Sequence, residues 1–206
     1  MMSPTVGSAS KSSPFADRRA RLAAGMLGMT LFLVSLGVLF GAVLVGYLVI
    51  RLQPTAGPAP EIPALPAGLW LSTVLMLISS VTVQWALGAA RRDRHRQLRV
   101  GMAATTLLGL AFLGTQTVCW IQWSGPLAAS LGEAQKAFVL TGFYVLTGVH
   151  ALHVIGGLIP LAVVTIRSFG NRYSSADHAA VRYCAMYWHF LDGVWLVLFA
   201  TLMLGI

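Results

Sequence analysis

Acidic side chains are scarce in this sequence: six Asp and Glu stand against 14 Lys and Arg, and charged residues make up only 10% of 206 positions. With 57% of the residues hydrophobic and the polar ones gathered in separate clusters, no charged surface is available to solvate a soluble domain. The net charge of +8 does not signal a nucleic-acid partner, because the basic residues fall in short segments between apolar runs. Chemical signatures are missing as well. The sequence has no Gly-rich phosphate loop, no Cys-x-x-Cys or Cys-x-x-Cys-His metal or haem motif, and no nucleophile elbow. These absences leave a polytopic membrane protein that carries no familiar catalytic motif.

Long apolar runs are what the chain does have. About 20 apolar residues cross the hydrocarbon core, which predicts five transmembrane helices at roughly 24–50, 68–90, 101–123, 137–166 and 181–204. The opening 1–23 are Ser-rich and end in a basic cluster, and the apolar run behind them exceeds the roughly 7 to 15 residues of a signal core. They read as a disordered cytoplasmic tail ahead of a single five-helix domain, 24–206. The Pro-rich QPTAGPAPEIPALPAG, the charge run RRDRHRQLR, and the turn-rich SGPLAASLGEAQK and RSFGNRYSSADHAA read as the connections.

Charge fixes the expected direction. Lys11, Arg18, Arg19, Arg21, Arg91, Arg92, Arg94, Arg96, Arg99, Arg167, Arg172 and Arg182 fall on one side of five spans, and only Arg51 and Lys136 on the other. That asymmetry places the N-terminus inside and the C-terminus outside. Cys119 and Cys184 then lie near opposite faces, out of disulfide reach, and read as small buried residues.

Polar residues inside the spans are few, and each needs a reason. In TGVHALHVIGG, His150 and His153 are three residues apart; in the last span His189 and Asp192 repeat the spacing, which puts each pair on one helix face. At about 1.5 Å per residue, His150, His189 and Asp192 fall in one layer some 10 to 16 Å from the inner side. Asp192 is the sole acid in any span. Three readings follow: a polar lock joining spans four and five, with Asp192 accepting from His150 or His189; a proton-conducting group; or a four-ligand metal site. Tyr47, Gln84, Gln116 and Gln122 read as side chains reaching interface water, and Trp70, Trp120 and Trp123 as an outer aromatic belt. A single buried acid is also poor material for an independent pump.

Two segments carry a resemblance. YWHFLDGVWLVLF (187–199), which contains Trp188 and Trp195, resembles the C-terminal signature of subunit III of haem-copper cytochrome oxidases, and FYVLTGVHALHVIGG (143–157) resembles the Thr-Gly-x-His-x-x-His segment of the same family. LWLSTVLMLISSVTVQWA (69–86), LGLAFLGTQTVCW (108–120, containing Gln116) and FLVSLGVLFGAVLVGYLVIR (32–51, containing Ser35 and Tyr47) look like its other helices. The sequence departs from the family at two positions, with Leu36 after Ser35 and Cys119 after Gln116 where acids are typical.

The resemblance implies the short five-helix bacterial form in the inner membrane. It implies no cofactor in this chain, haem and copper in a partner subunit I, a further subunit II, lipid in the helix grooves, and a non-catalytic stabilising role in oxygen reduction coupled to proton translocation. An accessory subunit of a nitric oxide reductase and an independent membrane metalloenzyme are the alternative readings.

Overall fold

The computed structural model describes the backbone of residues 18–51, 66–130 and 133–204, and the side chains of 19–49, 66–125 and 142–204. It is all helix: α1 (Arg18–Arg51), α2 (Gly68–Ala90), α3 (His95–Ser130), α4 (Glu133–Phe169) and α5 (Ala179–Met203). All five are long and apolar enough to span a membrane. The expected tail lies mostly outside the described residues, as does most of the Pro-rich connection, but helix begins already at Arg18.

Helix also extends further than the apolar runs do. Between spans three and four, α3 runs on to Ser130 and α4 starts at Glu133, inside the expected loop, because Leu127, Ala128 and Ala129 on one side and Glu133, Ala134 and Gln135 on the other are strong helix formers. Likewise, only 91–94 of the charge run leave the helix.

Helices α2, α3, α4 and α5 pack in that order and α5 closes back on α2, making a four-helix ring; α1 packs on α4 and α5 alone. Lipid tails are as apolar as leucine, so close packing and interhelical hydrogen bonds hold such a ring, not escape from water. Glycine provides the closest approaches. A Cβ on Gly101 would stand 2.8 Å from that of Ala86, and one on Gly109 2.8 Å from the Trp188 ring. Gly157 sets the register of α4 against α5, since a Cβ there would lie 2.5 Å from a Tyr187 ring carbon and 3.4 Å from Leu191. The core behind these contacts is built on Trp188, Trp195 and Phe112, all fully buried, with Leu36 and Phe40 contributed by α1.

At the arginine-rich end two short connections are tied together. Asp93 and Asn171 take left-handed backbone conformations, φ 54 and 53, that Asp and Asn tolerate better than most residues. Asn171 Oδ1 accepts from Arg99 Nη2 at 2.6 Å, and Asp93 Oδ1 accepts the Ser175 backbone N–H at 2.6 Å. The Ser175 hydroxyl and then its backbone N–H hold the Asp93 carboxyl below its ordinary 3.8.

Two outcomes are expected. Gly157→Ala should lower stability by about 1–3 kcal/mol through overpacking against Tyr187, whereas Gly156→Ala, with nothing within 4 Å of its new Cβ, should leave the thermal midpoint in mild detergent unchanged; equal midpoints would refute the register. Because the folded Asp93 carboxyl titrates below 3.8, the Asp93–Ser175 tie should persist above that pH and weaken as pH falls through the depressed value. Amide-exchange protection at Ser175 should therefore drop only in strong acid, and Asp93→Ala should remove it at every pH; protection that survives Asp93→Ala would refute the tie.

Candidate functional site

The buried face of α5 repeats every three to four residues, and its polar members turn toward α2. Trp188 Nε1 donates to Ser79 Oγ at 2.8 Å, and Trp195 Nε1 donates to Thr73 Oγ1 at 3.0 Å. Between them His189 bonds twice, through Nδ1 to Ser80 Oγ at 2.6 Å and through Nε2 to Gln84 Oε1 at 3.2 Å. The Gln84 carbonyl can only accept, so His189 carries its proton on Nε2 and receives the Ser80 hydroxyl at Nδ1. Ring partners are joined in the same manner elsewhere: Thr82 to Thr105 at 2.8 Å links α2 and α3, and Thr106 to Thr165 at 3.1 Å links α3 and α4.

This arrangement corrects the expected lock between spans four and five. His150 is buried in an aromatic cage, with ring centroids 5.3 Å from Trp195, 5.9 Å from Phe112 and 6.1 Å from Phe40, and neither of its nitrogens has a hydrogen-bond partner. Seven residues separate it from Gly157, so the register that seats Gly157 against Tyr187 and Leu191 carries His150 opposite Trp195. Asp192 lies a turn away and faces α2. Its carboxylate stands 3.9 Å from His189 Nδ1, beyond hydrogen-bond range, and faces Ser80, yet neither of its oxygens is bonded. What joins α4 to α5 is Tyr187, whose hydroxyl donates to the His153 carbonyl at 3.0 Å. The His153 ring turns back on its own helix, Nδ1 to Val149 O at 2.7 Å, with Phe40 packed 5.1 Å away.

The remaining expected positions sort themselves by face. Gln116, expected to reach interface water, is buried with both amide atoms unpaired, and Trp123, expected in an outer aromatic belt, is buried 4.6 Å from Phe143. Gln84 is exposed, but its oxygen is taken by His189. Trp70 and Gln122 remain on the outside. Tyr47 packs on Gly142. Ser35 bonds its own Leu31 carbonyl at 3.0 Å, and Leu36 beside it is core. Cys119 is buried against Gly68, and Cys119 and Cys184 are free thiols. Sequence reasoning passed over Ser79, Ser80 and Thr73, the α2 hydroxyls that meet α5; their signal was a polar stripe at helical spacing in an apolar span.

Among the described residues no three His, Cys, Asp or Glu side chains converge. His150, His153, His189 and Asp192 therefore do not assemble the four-ligand site that their spacing permits.

A helical ring whose last two helices carry the His-x-x-His and Trp-His-x-x-Asp segments is the frame in which sequence similarity can be weighed. The family model for cytochrome c oxidase subunit III matches residues 16–204, from the start of α1 past the end of α5. The chain belongs to that family. It is 31% identical over 183 residues to cytochrome c oxidase subunit 3 of Thermostichus vulcanus, covering 86% of this chain and 85% of that protein. To cytochrome bo(3) ubiquinol oxidase subunit 3 of Pseudomonas aeruginosa it is 30% identical over 180 residues, 87% of this chain and 84% of the other. Cytochrome c oxidase subunit 3 of Pylaiella littoralis is 33% identical, and there the chain spans only 65% of the relative's length.

Because Asp192 makes no hydrogen bond, its removal takes no bond away. Asp192→Leu should leave the thermal midpoint of the purified chain unchanged or raise it, by up to the roughly 1–3 kcal/mol that an unpaired buried polar group costs. His189→Leu, which strips two partners, should lower it. If Asp192→Leu destabilised more than His189→Leu, the carboxylate would have a structural partner after all.

Proposed function

We propose that this chain is the non-catalytic subunit III of a haem-copper terminal oxidase and stabilises its large catalytic subunit during turnover. The observation that carries this reading is the family match, which takes in all five helices and both linked motifs. The relatives are named for cytochrome c and for ubiquinol oxidases, so the reading covers oxygen reduction by either donor, with haem and copper in subunit I and a subunit II beside it. A ring cross-linked by indole–hydroxyl and hydroxyl–hydroxyl bonds suits a rigid brace, and its apolar outer grooves suit lipid chains.

The same reading gives the chain a bacterial inner membrane, with the arginine-rich end of the ring and the N-terminus in the cytoplasm. The basic residues at that end, Arg91 to Arg99 and Arg167 to Arg182, are the basis for this orientation. The hydrogen-bonded cluster of Ser80, Gln84 and His189 takes a structural role in it, holding α5 to α2, with Asp192 buried beside it.

The test is to tag the chain, purify it in mild detergent from its native membrane, and record reduced-minus-oxidised spectra with metal analysis. Haem and copper should arrive with large co-purifying subunits. A lone polypeptide, or one holding stoichiometric non-haem metal, would overturn the subunit reading, and haem without copper would overturn its assignment to an oxidase.

A further inference from the structure

Away from the helix ends, where Gln122 and several arginines are exposed, the outer surface of the described residues is largely apolar, and the seam of α2 and α5 departs from this. On α1 the outward side chains include Leu27, Leu31, Val34, Val38 and Val45, and on α4 they are Leu152, Ile155, Ile159, Val163 and Ile166. The exposed hydroxyls of Thr30, Ser35 and Thr117 each bond a carbonyl one turn back in their own helix, so they ask nothing of their surroundings. The seam between α2 and α5 is different. Gln84 is exposed there, and the His189 side chain beside it keeps 39% of its surface open.

Depth makes this exposure costly. Gln84 lies six residues before the end of α2 and His189 ten residues after the start of α5, about 9 and 15 Å into the helices at 1.5 Å per residue. Both are within a hydrocarbon core of about 30 Å. The Gln84 oxygen is engaged by His189, but no hydrogen bond among the described residues engages the two N–H groups of Gln84 Nε2. An amide left facing lipid tails is unfavourable, and polar groups at such depth face protein or a water-filled space.

No helix among the described residues covers the seam. Helix α1 occupies the opposite flank of α5, packed on α4 and α5 and not on α2. Beside the polar pair α5 also presents a shallow path, with Gly193 and Ala200 outward and open space where a Gly193 side chain would be. Small residues let a second helix come close enough for a side chain to reach the amide.

We infer that the α2–α5 seam around Gln84, His189 and Gly193 is the docking surface for a transmembrane helix of the large catalytic subunit. That helix presents a hydrogen-bond acceptor to Gln84 Nε2 at this depth. The inference rests on the subunit reading and adds to it the face that makes the contact. Asp192, buried beneath His189, is then shielded from lipid by the docked helix as well as by α5.

The test uses the tagged chain in its native membrane, with a photo-crosslinking amino acid placed singly at Leu77, Trp85 or Leu196 on the seam and at Leu107, Leu152 or Ile159 elsewhere. Seam positions should crosslink to the haem-bearing subunit, and the other three should not. Independently, Gln84→Leu should reduce the haem retained per chain after detergent washing by roughly three- to tenfold, the range expected for one intramembrane hydrogen bond. Its thermal midpoint as an isolated chain should fall less than that of His189→Leu, since only one of the two His189 bonds is lost.

Four results would overturn the inference. With haem still co-purifying, these are crosslinks to the haem subunit from α3 or α4 instead of the seam, crosslinks from the seam to a second copy of this chain, or full haem retention by Gln84→Leu. If no haem protein co-purifies even with the unaltered chain, the subunit reading itself falls and takes the docking surface with it.

Discussion

A polar side chain in hydrocarbon must find its partner inside the protein, and that constraint organises this bundle. Helix α2 would be a bland apolar span without Thr73, Ser79, Ser80 and Gln84, and α5 would have nothing to hold without them. The two indoles of α5 each meet one of these groups and the imidazole meets two, at 2.6 to 3.2 Å. Such bonds are modest singly, averaging about 0.6 kcal/mol and reaching about 2. Set along one seam, they close the ring and fix which face of α5 looks inward.

Where the constraint is not met, the exceptions are instructive. His150, Gln116 and Asp192 are buried with polar atoms unpaired. His150 is surrounded by ring faces and edges, an environment that tolerates an imidazole as one more flat aromatic body. Asp192 has no such compensation within the chain. Most hydroxyls in the spans bond their own helix, but the Trp120 and Trp123 indoles, Arg99 Nε and the Tyr173 hydroxyl are also buried without a partner, so folding alone does not account for every buried polar group.

Much of the architecture was legible in the sequence because it depends on composition and length. Five apolar runs gave five helices, and the connections at the arginine-rich end fell where the charges are. Helix ends were less legible, since Ala, Leu and Glu extend α3 and α4 past the point where hydropathy stops marking them. The site was least legible. Periodicity showed that His189 and Asp192 share a face and that His150 and His153 do too, but not which neighbour each face meets. That choice depends on axial register, and register depends on Gly157 lying under Tyr187, a steric fact that counting residues from an assumed membrane boundary does not capture. A shift of one turn separated His150 from Asp192.

The placement of α1 bears on how the protein is made. Of the five described helices it is made first, yet among them it packs only on α4 and α5, the last two to follow. The ring can close without it. During synthesis α1 therefore lacks its partners in this bundle until most of the chain has been inserted. Its uncharged run from Leu27 to Val49, in which Thr30, Ser35 and Tyr47 are the hydroxyl-bearing residues, is what makes that interval tolerable.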